Sequence, residues 1–481
     1  MTVLSGDFAN TRELLEAAAV AYGDRVAYVE PGSRISFAEW ASRSRRVAAG
    51  LVARGVGKGD VVALRLPSGI DYATCYAAAA TIGAITTGIN PRLGPREVGA
   101  ILEQADPALV ISESAELSGI SDDGSERFAA VPDVEIDRRD PVALIFSSGT
   151  TGLPKGAVFD GNNLLAGAAS AGVMSAPYDR RLTSTPFAHA GYMFKLWDQL
   201  LWGTTLVIPP SPWSAAGMAT TLREERITVA GAVPTQWAKL LEVSPGVFPH
   251  LRVGVAATAP ASPELVRSVA DRIGVPLVVR YAMTECPTIC GTEPDDPPEI
   301  QFRTVGRPAP NMTVRVVDDG VVEVRGPCVM RGYWRDPDLT ASVLRDGWLH
   351  TGDMGMLNDD GTLTIVGRSG DMYIRGGFNV HPVEVEQVIA THPGVARTAV
   401  VGWPAQVIGE VGVAFVVPEN PFAAPSLADL RAHVRTQLAD YKAPDHLVLV
   451  DDIPLTPMLK PDRVALRRLA ASVSLLRNEI S

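Results

Sequence analysis

Short apolar runs alternate with stretches of helical periodicity from the N-terminal region as far as about Val305. Between Val26 and Pro91 the order is an apolar strand, a helix and a second strand. The helix starts near Ser36, runs from Phe37 through Ala53 and keeps Arg43, Arg45 and Arg46 on its polar side. The second strand is Val61 to Leu66. The alternation continues at Leu206–Ile208, Thr228–Val233, Val253–Val255 and Leu277–Val279. Strands separated by helices predict a largely parallel α/β sheet. The segment from Ser114 to Asp140 is acidic and polar, with Asp122, Asp123, Gly124 and Ser125 in succession. It is expected to be a surface connection between two α/β halves of one large domain.

Beyond Val305 the period shortens. Thr313–Val317, Gly320–Val324 and Leu363–Val366 read as strands separated by Asp-Gly and Asn-Asp-Asp-Gly turns, which favour hairpins and predict a small β-rich subdomain. The remaining chain offers a helix from Pro382 to Ala390, strands at Thr398–Val401 and Val411–Val417, a helix from Leu427 to Leu438 and a strand near Leu447. That is enough for a separate small α+β domain.

Composition changes this picture little. A chain of 481 residues, 46% hydrophobic and 20% charged, exceeds what one compact core supports. A net charge of -11 gives no broad footprint for nucleic acid or an anionic membrane. The N-terminal residues Met1 to Asp7 carry neither a basic nor an apolar signal region, which predicts a cytoplasmic protein. The least polar stretch, Tyr72 to Ile89, is rich in Ala, Thr and Gly and reads as a buried helix entering a strand, with no membrane span expected. Cys75, Cys286, Cys290 and Cys328 are too few for a disulfide scaffold and lack zinc-ligand spacing, so buried thiols are expected.

Candidate chemistry begins with the loop Ser147-Ser148-Gly149-Thr150-Thr151-Gly152-Leu153-Pro154-Lys155-Gly156, which follows the apolar strand Val142–Phe146. Its glycines and hydroxyls let backbone N–H groups close on phosphate oxygens, and Lys155 adds a positive charge. It is not the common P-loop: Pro154 stands where a glycine should precede the lysine, and Gly156 follows it in place of Ser or Thr.

Further along come Tyr281-Ala282-Met283-Thr284-Glu285, Trp348-Leu349-His350-Thr351-Gly352-Asp353, Gly367-Arg368 with Asp371, Arg375-Gly376-Gly377-Phe378, and Pro454-Leu455-Thr456-Pro457-Met458-Leu459-Lys460. In this order, along nearly the whole chain, these motifs resemble those of the acyl-adenylating superfamily, in its acyl-CoA synthetase branch.

The resemblance implies a division into an AMP-binding domain at 1–367, a hinge at 368–371 centred on Gly370, and a mobile C-terminal domain at 372–481. It implies that Ser147, Ser148, Gly149, Thr150, Thr151, Gly152 and Lys155 cradle phosphate, that Tyr281 stacks on adenine, and that Thr284 meets the α-phosphate. Glu285 would hold Mg²⁺, Asp353 and Arg368 the ribose, and Lys460 would bridge carboxylate and α-phosphate during adenylation. Gly376 and Gly377 would line a tunnel for the thiol of coenzyme A, where a Cβ would obstruct passage.

His189 and Tyr192 fall in a segment similar to the mouth of the family's acyl pocket. Acyl specificity is expected around Tyr192, Met193, Trp197, Trp237 and the strand end Ala257-Thr258-Ala259-Pro260, whose bulk suggests an apolar acid. The implied reaction consumes ATP and a small carboxylic acid and delivers the acyl group to CoA, in a monomer or homodimer. Alternatives are a carrier-protein phosphopantetheine as acceptor, a single half-reaction, or an inactive nucleotide-binding protein. Leu459 stands where the family has glycine, and Ala282 where it has glycine after the tyrosine.

Overall fold

The computed structural model describes residues 3–121, 133–147, 154–183, 185–243, 246–257, 261, 263–317, 320–405, 407–456 and 460–472. Among the described residues the chain forms four sheets.

The expected helix Phe37–Ala53 starts where the pattern places it. The Ser36 hydroxyl accepts from the Glu39 N–H at 3.2 Å, and the Glu39 carboxylate accepts from the Ser36 N–H at 2.7 Å, a reciprocal cap that satisfies two orphan donors. The apolar stretch after it is a helix, Ile70–Thr81, followed by a strand, Ile85–Gly88, both almost wholly buried inside the protein. No helix among the described residues is long and apolar enough to cross a membrane.

A five-stranded sheet has the order Leu109–Ile111, Val61–Leu64, Ile85–Gly88, Pro141–Ser147 and Lys155–Asp160. Its strands run parallel except the last, which pairs antiparallel with Pro141–Ser147. The loop expected to cradle phosphate therefore closes a β-hairpin, and the next helix begins only at Gly161. A nine-stranded sheet places Leu277–Met283, Val253–Ala257, Val229–Ala232, Arg180–Thr183, Thr205–Val207 and Val26–Glu30 side by side and parallel, with antiparallel strands at both edges. The two sheets match the predicted pair of α/β halves. The segment Ser114–Asp140 does not connect them as expected: the strands that flank it, Leu109–Ile111 and Pro141–Ser147, both belong to the five-stranded sheet, and it opens with a helix, Ser114–Ser121.

The β-rich subdomain contains Thr313–Val316, Val321–Arg325, Leu344–Arg345, Trp348–Leu357 and Leu363–Arg368, all antiparallel. Leu349 and Leu363 belong to the same buried cluster as Leu14, Phe37 and Trp40, so this subdomain shares its core with the first α/β half. After Arg368 a separate sheet of Phe378–Val380, Tyr373–Arg375, Gly409–Pro418, Val395–Ala405 and His446–Leu449 carries two small cores. One face packs on Pro382–Ile389 and Leu427–Arg435, the other on Arg463–Ser472. All four cysteines are free and buried, as expected, and burial pushes the Cys290 thiol up to about 12.

Candidate active site

Hydrogen bonds and charge coupling link four elements: the hairpin Pro141–Ser147/Lys155–Asp160, the end of Leu277–Met283 with the turn after it, the strand Trp348–Leu357 and the loop before Arg463–Ser472. Strand Leu277–Met283 ends as predicted, so Thr284 and Glu285 occupy the tight turn before the antiparallel strand Cys286–Gly291.

Glu285 is 7% exposed. Its Oε1 accepts from the Ser147 hydroxyl at 3.1 Å and from the Tyr333 hydroxyl at 2.9 Å. No described residue donates to Oε2, which leaves one carboxylate oxygen for a hard cation such as Mg²⁺. The donor set therefore fits a metal held by one carboxylate plus phosphate oxygens and water. Among the described residues no cluster of three or more His, Cys, Asp or Glu forms a full protein cage.

Tyr333 escaped sequence reasoning because no motif flags it. It lies where residues 331–334 run antiparallel to Lys155–Asp160, with the Val158 N–H bonded to the Gly332 carbonyl and the Trp334 N–H to the Gly156 carbonyl. The Lys155 ammonium sits 5.9 Å from the centre of the Tyr333 ring, a cation–π distance. Burial, reinforced by the adjacent Glu285, holds the Tyr333 phenol above its usual range, so it remains a donor. Ser147 and Lys155 are cross-strand partners at the loop end of the hairpin. Ser148, Gly149, Thr150, Thr151 and Gly152 lie outside the described residues.

Asp353 is buried in the middle of Trp348–Leu357, a strand whose buried positions alternate through Leu349, Thr351 and Asp353. Its Oδ2 accepts from the Tyr281 hydroxyl at 2.5 Å and its Oδ1 from Arg368 Nε at 2.7 Å. The strand pairing that sets Asp353 opposite Arg368 produces this geometry. Burial opposes the charge of Arg368, but Asp353, Tyr281 and Asp371 outweigh it and raise the guanidinium pKa. Burial, then Asp353, raises the Tyr281 phenol well above its ordinary value. Each Asp353 oxygen retains a second lone pair for an incoming hydroxyl.

Lys460 comes from the C-terminal domain. Its loop is pinned by an isolated bridge between Leu455 and Pro461 and by the Thr456 N–H donating to the Lys460 carbonyl at 2.7 Å. Although its side chain keeps contact with solvent, partial desolvation and then the Arg368 guanidinium hold its ammonium below the usual lysine range, while Asp353 and Glu285 partly offset them. Those couplings put Lys460 within electrostatic reach of Arg368, Asp353, Glu285 and His189. Leu459 lies outside the described residues.

Arg463, just beyond, was also missed by sequence reasoning. It donates to Glu386 at 2.9 Å, pairs with Asp371 at 3.1 Å and meets the Val400 carbonyl at 2.5 Å, fastening the loop to the start of the C-terminal domain.

His189 caps the short helix Ala190–Met193 and lies 3.0 Å from the Asn90 side chain. Burial and the Lys460 charge push its pKa down to about 4. Tyr192 does not open onto a pocket in this structure: its ring stacks on Phe187 with centroids 3.6 Å apart, and its hydroxyl meets that of Tyr28 at 2.8 Å. Met193, Trp197 and Trp237 are likewise core residues; Trp197 donates to the Thr11 hydroxyl and Trp237 to the Val255 carbonyl. Their bulk fills the interior and carries no information on acyl size, which corrects the apolar-acid expectation drawn from it. Of the strand end, Ala257 terminates Val253–Ala257, while Thr258, Ala259 and Pro260 lie outside the described residues.

Gly376 and Gly377 form the two-residue turn between Tyr373–Arg375 and Phe378–Val380, with φ of +58° and +85°. A Cβ at either would meet nothing within 4 Å, so in this structure the pair faces open space and its conformation explains the glycines. Gly370 is similarly uncrowded, in a turn where the Asp371 and Met372 N–H groups both bond the Arg368 carbonyl.

Comparison with known proteins bears on the family and the fold. Residues 15–334 match the model of the AMP-binding enzyme family and residues 384–460 that of the AMP-binding enzyme C-terminal domain. A 3-[(3aS,4S,7aS)-7a-methyl-1,5-dioxo-octahydro-1H-inden-4-yl]propanoyl:CoA ligase of Rhodococcus jostii (strain RHA1) is 33% identical over 95% of this chain and 98% of its own length. A feruloyl-CoA synthase of an Amycolatopsis species is 32% identical over 88% of this chain and 92% of its own. The crystal structure of ATP-bound MatB from Rhodopseudomonas palustris superposes with a TM-score of 0.85 at 28% identity, covering 96% of this chain and 99% of MatB. Apo MatB, over the same coverage, gives 0.76. With both family models matched in order along one chain, this protein belongs to the AMP-binding enzyme family, in its acyl-CoA synthetase branch.

Proposed function

We propose that this protein is an AMP-forming acid:CoA ligase, with the large domain ending near residue 367, a hinge at 368–371 and a C-terminal domain that alternates between two orientations. The observation that carries the proposal is that Lys460, from the C-terminal domain, lies within electrostatic reach of Asp353 and Glu285 of the large domain and of Arg368 at the hinge. The greater likeness to ATP-bound MatB supports assigning this orientation to the adenylation step.

In that step a carboxylate oxygen attacks the α-phosphorus of ATP and pyrophosphate leaves. Asp353 and Arg368 hold the ribose, Tyr281 offers a flat face to adenine, and Thr284 donates to the α-phosphate. Lys460 offsets charge where two anions are brought together. Glu285, oriented by Ser147, would hold Mg²⁺, whose charge lowers the repulsion between phosphates and carboxylate when bound. Lys155 and the backbone of residues 148–152 would cradle the β- and γ-phosphates.

In the second step the thiolate of CoA attacks the acyl carbonyl and AMP leaves. The open surroundings of Gly376 and Gly377 suit a surface that packs beside the thiol only after the C-terminal domain turns. ATP and CoA as co-substrates suit a cytoplasmic enzyme.

The test separates the steps. Acid-dependent ATP–pyrophosphate exchange is expected without CoA, and Lys460→Ala should lower it by roughly 10²–10³-fold while sparing thioester formation from supplied acyl-AMP. Equal loss of both activities would remove Lys460 from adenylation.

A further inference from the structure

The residue pair that the ligase reading leaves unused is Asn90 with His189. Gly88 ends its strand where a Cβ would lie 2.5 Å from the Ala188 Cα and 2.4 Å from the Tyr72 hydroxyl, so only glycine lets the Ala188 backbone approach. The Phe187 N–H is anchored to the Ser68 hydroxyl at 2.9 Å, and the next residues deliver His189 against Asn90.

Asn90 is 2% exposed, and its amide cannot be reversed. Its Oδ1 accepts from the Arg92 N–H at 3.0 Å, the turn that Asn favours before Pro91, so the atom facing His189 Nε2 at 3.0 Å is the Nδ2 donor. A donor aimed at Nε2 requires a lone pair there and hence a proton on Nδ1. A protonated ring would set two N–H groups against each other. No described residue is hydrogen-bonded to Nδ1, which leaves it to a ligand.

We infer that Asn90 is a positioning residue that fixes His189 as the neutral Nδ1–H tautomer, so that the imidazole meets the acyl group as a hydrogen-bond donor and has no free lone pair to serve as a base. The ring lies within electrostatic reach of Lys460, and a neutral donor there could bind either the carboxylate or the adenylate carbonyl. The ligand's identity rests on the ligase reading; the tautomer does not.

The test is a two-bond ¹H–¹⁵N spectrum of the whole, histidine-labelled protein at pH 7, with His189→Gln identifying the His189 signals. A pyridine-type Nε2 and a pyrrole-type Nδ1 are expected. Asn90→Asp, which replaces the donor by an acceptor, should exchange the two signal types and lower kcat for thioester synthesis by about 10²-fold, the cost of a misaimed group. A pyrrole-type or averaged Nε2 in the wild type overturns the inference, as does an Asn90→Asp variant with unchanged signals. Should Asn90→Asp not fold, the wild-type spectrum alone decides. Absence of ligase activity would sink the ligase reading and leave the tautomer result standing.

Discussion

Glu285 depends on two hydroxyls for its orientation, and both come from residues distant in sequence, Ser147 and Tyr333. Tyr333→Phe removes a hydrogen bond to a buried carboxylate, a loss of about 1.5–3 kcal/mol where the charge goes uncompensated. A Mg²⁺ titration of pyrophosphate exchange should show a raised half-saturation in this variant, with folding intact because the ring still packs under Lys155. An unchanged Mg²⁺ dependence would separate Tyr333 from the metal. At this scale the sequence was partly legible. Asp353 and Arg368 stand in short motifs, and strand register sets them opposite each other. Tyr333, Arg463 and Asn90 do not, because their partners are reached through tertiary pairing that no local spacing records. Tyr192, Trp197 and Trp237 misled for a related reason: a large side chain near a motif reads the same whether it lines a pocket or fills a core.

Elements explain the next layer. The strand Trp348–Leu357 was not foreseen as one unit because His350, Thr351 and Asp353 interrupt its apolar pattern, yet its buried positions alternate as a strand requires. The Gly376–Gly377 pair was legible as glycine-dependent, and a hairpin pair was one reading of it, but its facing open space was not. Gly377→Ala places a Cβ at φ +85° with nothing to strike, so it should cost about 1 kcal/mol of backbone strain in chemical denaturation. If the turn packs beside the thiol in a second orientation, the same variant lowers thioester formation from acyl-AMP more than pyrophosphate exchange. Equal effects would assign the pair to the turn alone. Arg463 ties the Lys460 loop to Glu386 and Asp371. Since these groups are only partly buried, Arg463→Gln should cost about 2 kcal/mol of stability in the C-terminal domain and reduce exchange more than thioester formation.

Across the whole molecule, two α/β halves and a β-rich subdomain share one large core, whereas the C-terminal domain has cores of its own. That division is what makes alternation between two orientations mechanically feasible. The β-rich subdomain was legible from the change in texture after Val305, because hairpin turns and period-two strands need only local sequence. Protonation adds a global test. The His189 pKa is about 4 in the fold against an ordinary 6.5, so between those pH values the unfolded chain binds a proton that the folded chain refuses. Stability therefore falls as pH drops from 6.5 towards 4, by at most about 3 kcal/mol. Denaturation of His189→Gln across this range should show a correspondingly flatter profile.

The central claim is that one chain performs both adenylation and thioester formation. It is tested most directly by incubating the wild-type protein with a panel of carboxylic acids, measuring ATP–pyrophosphate exchange without CoA and acyl-CoA formation with it. Exchange that requires an acid, followed by thioester and AMP once CoA is added, is the predicted result. Thioester that arises only from preformed acyl-AMP, with no exchange for any acid, would contradict it.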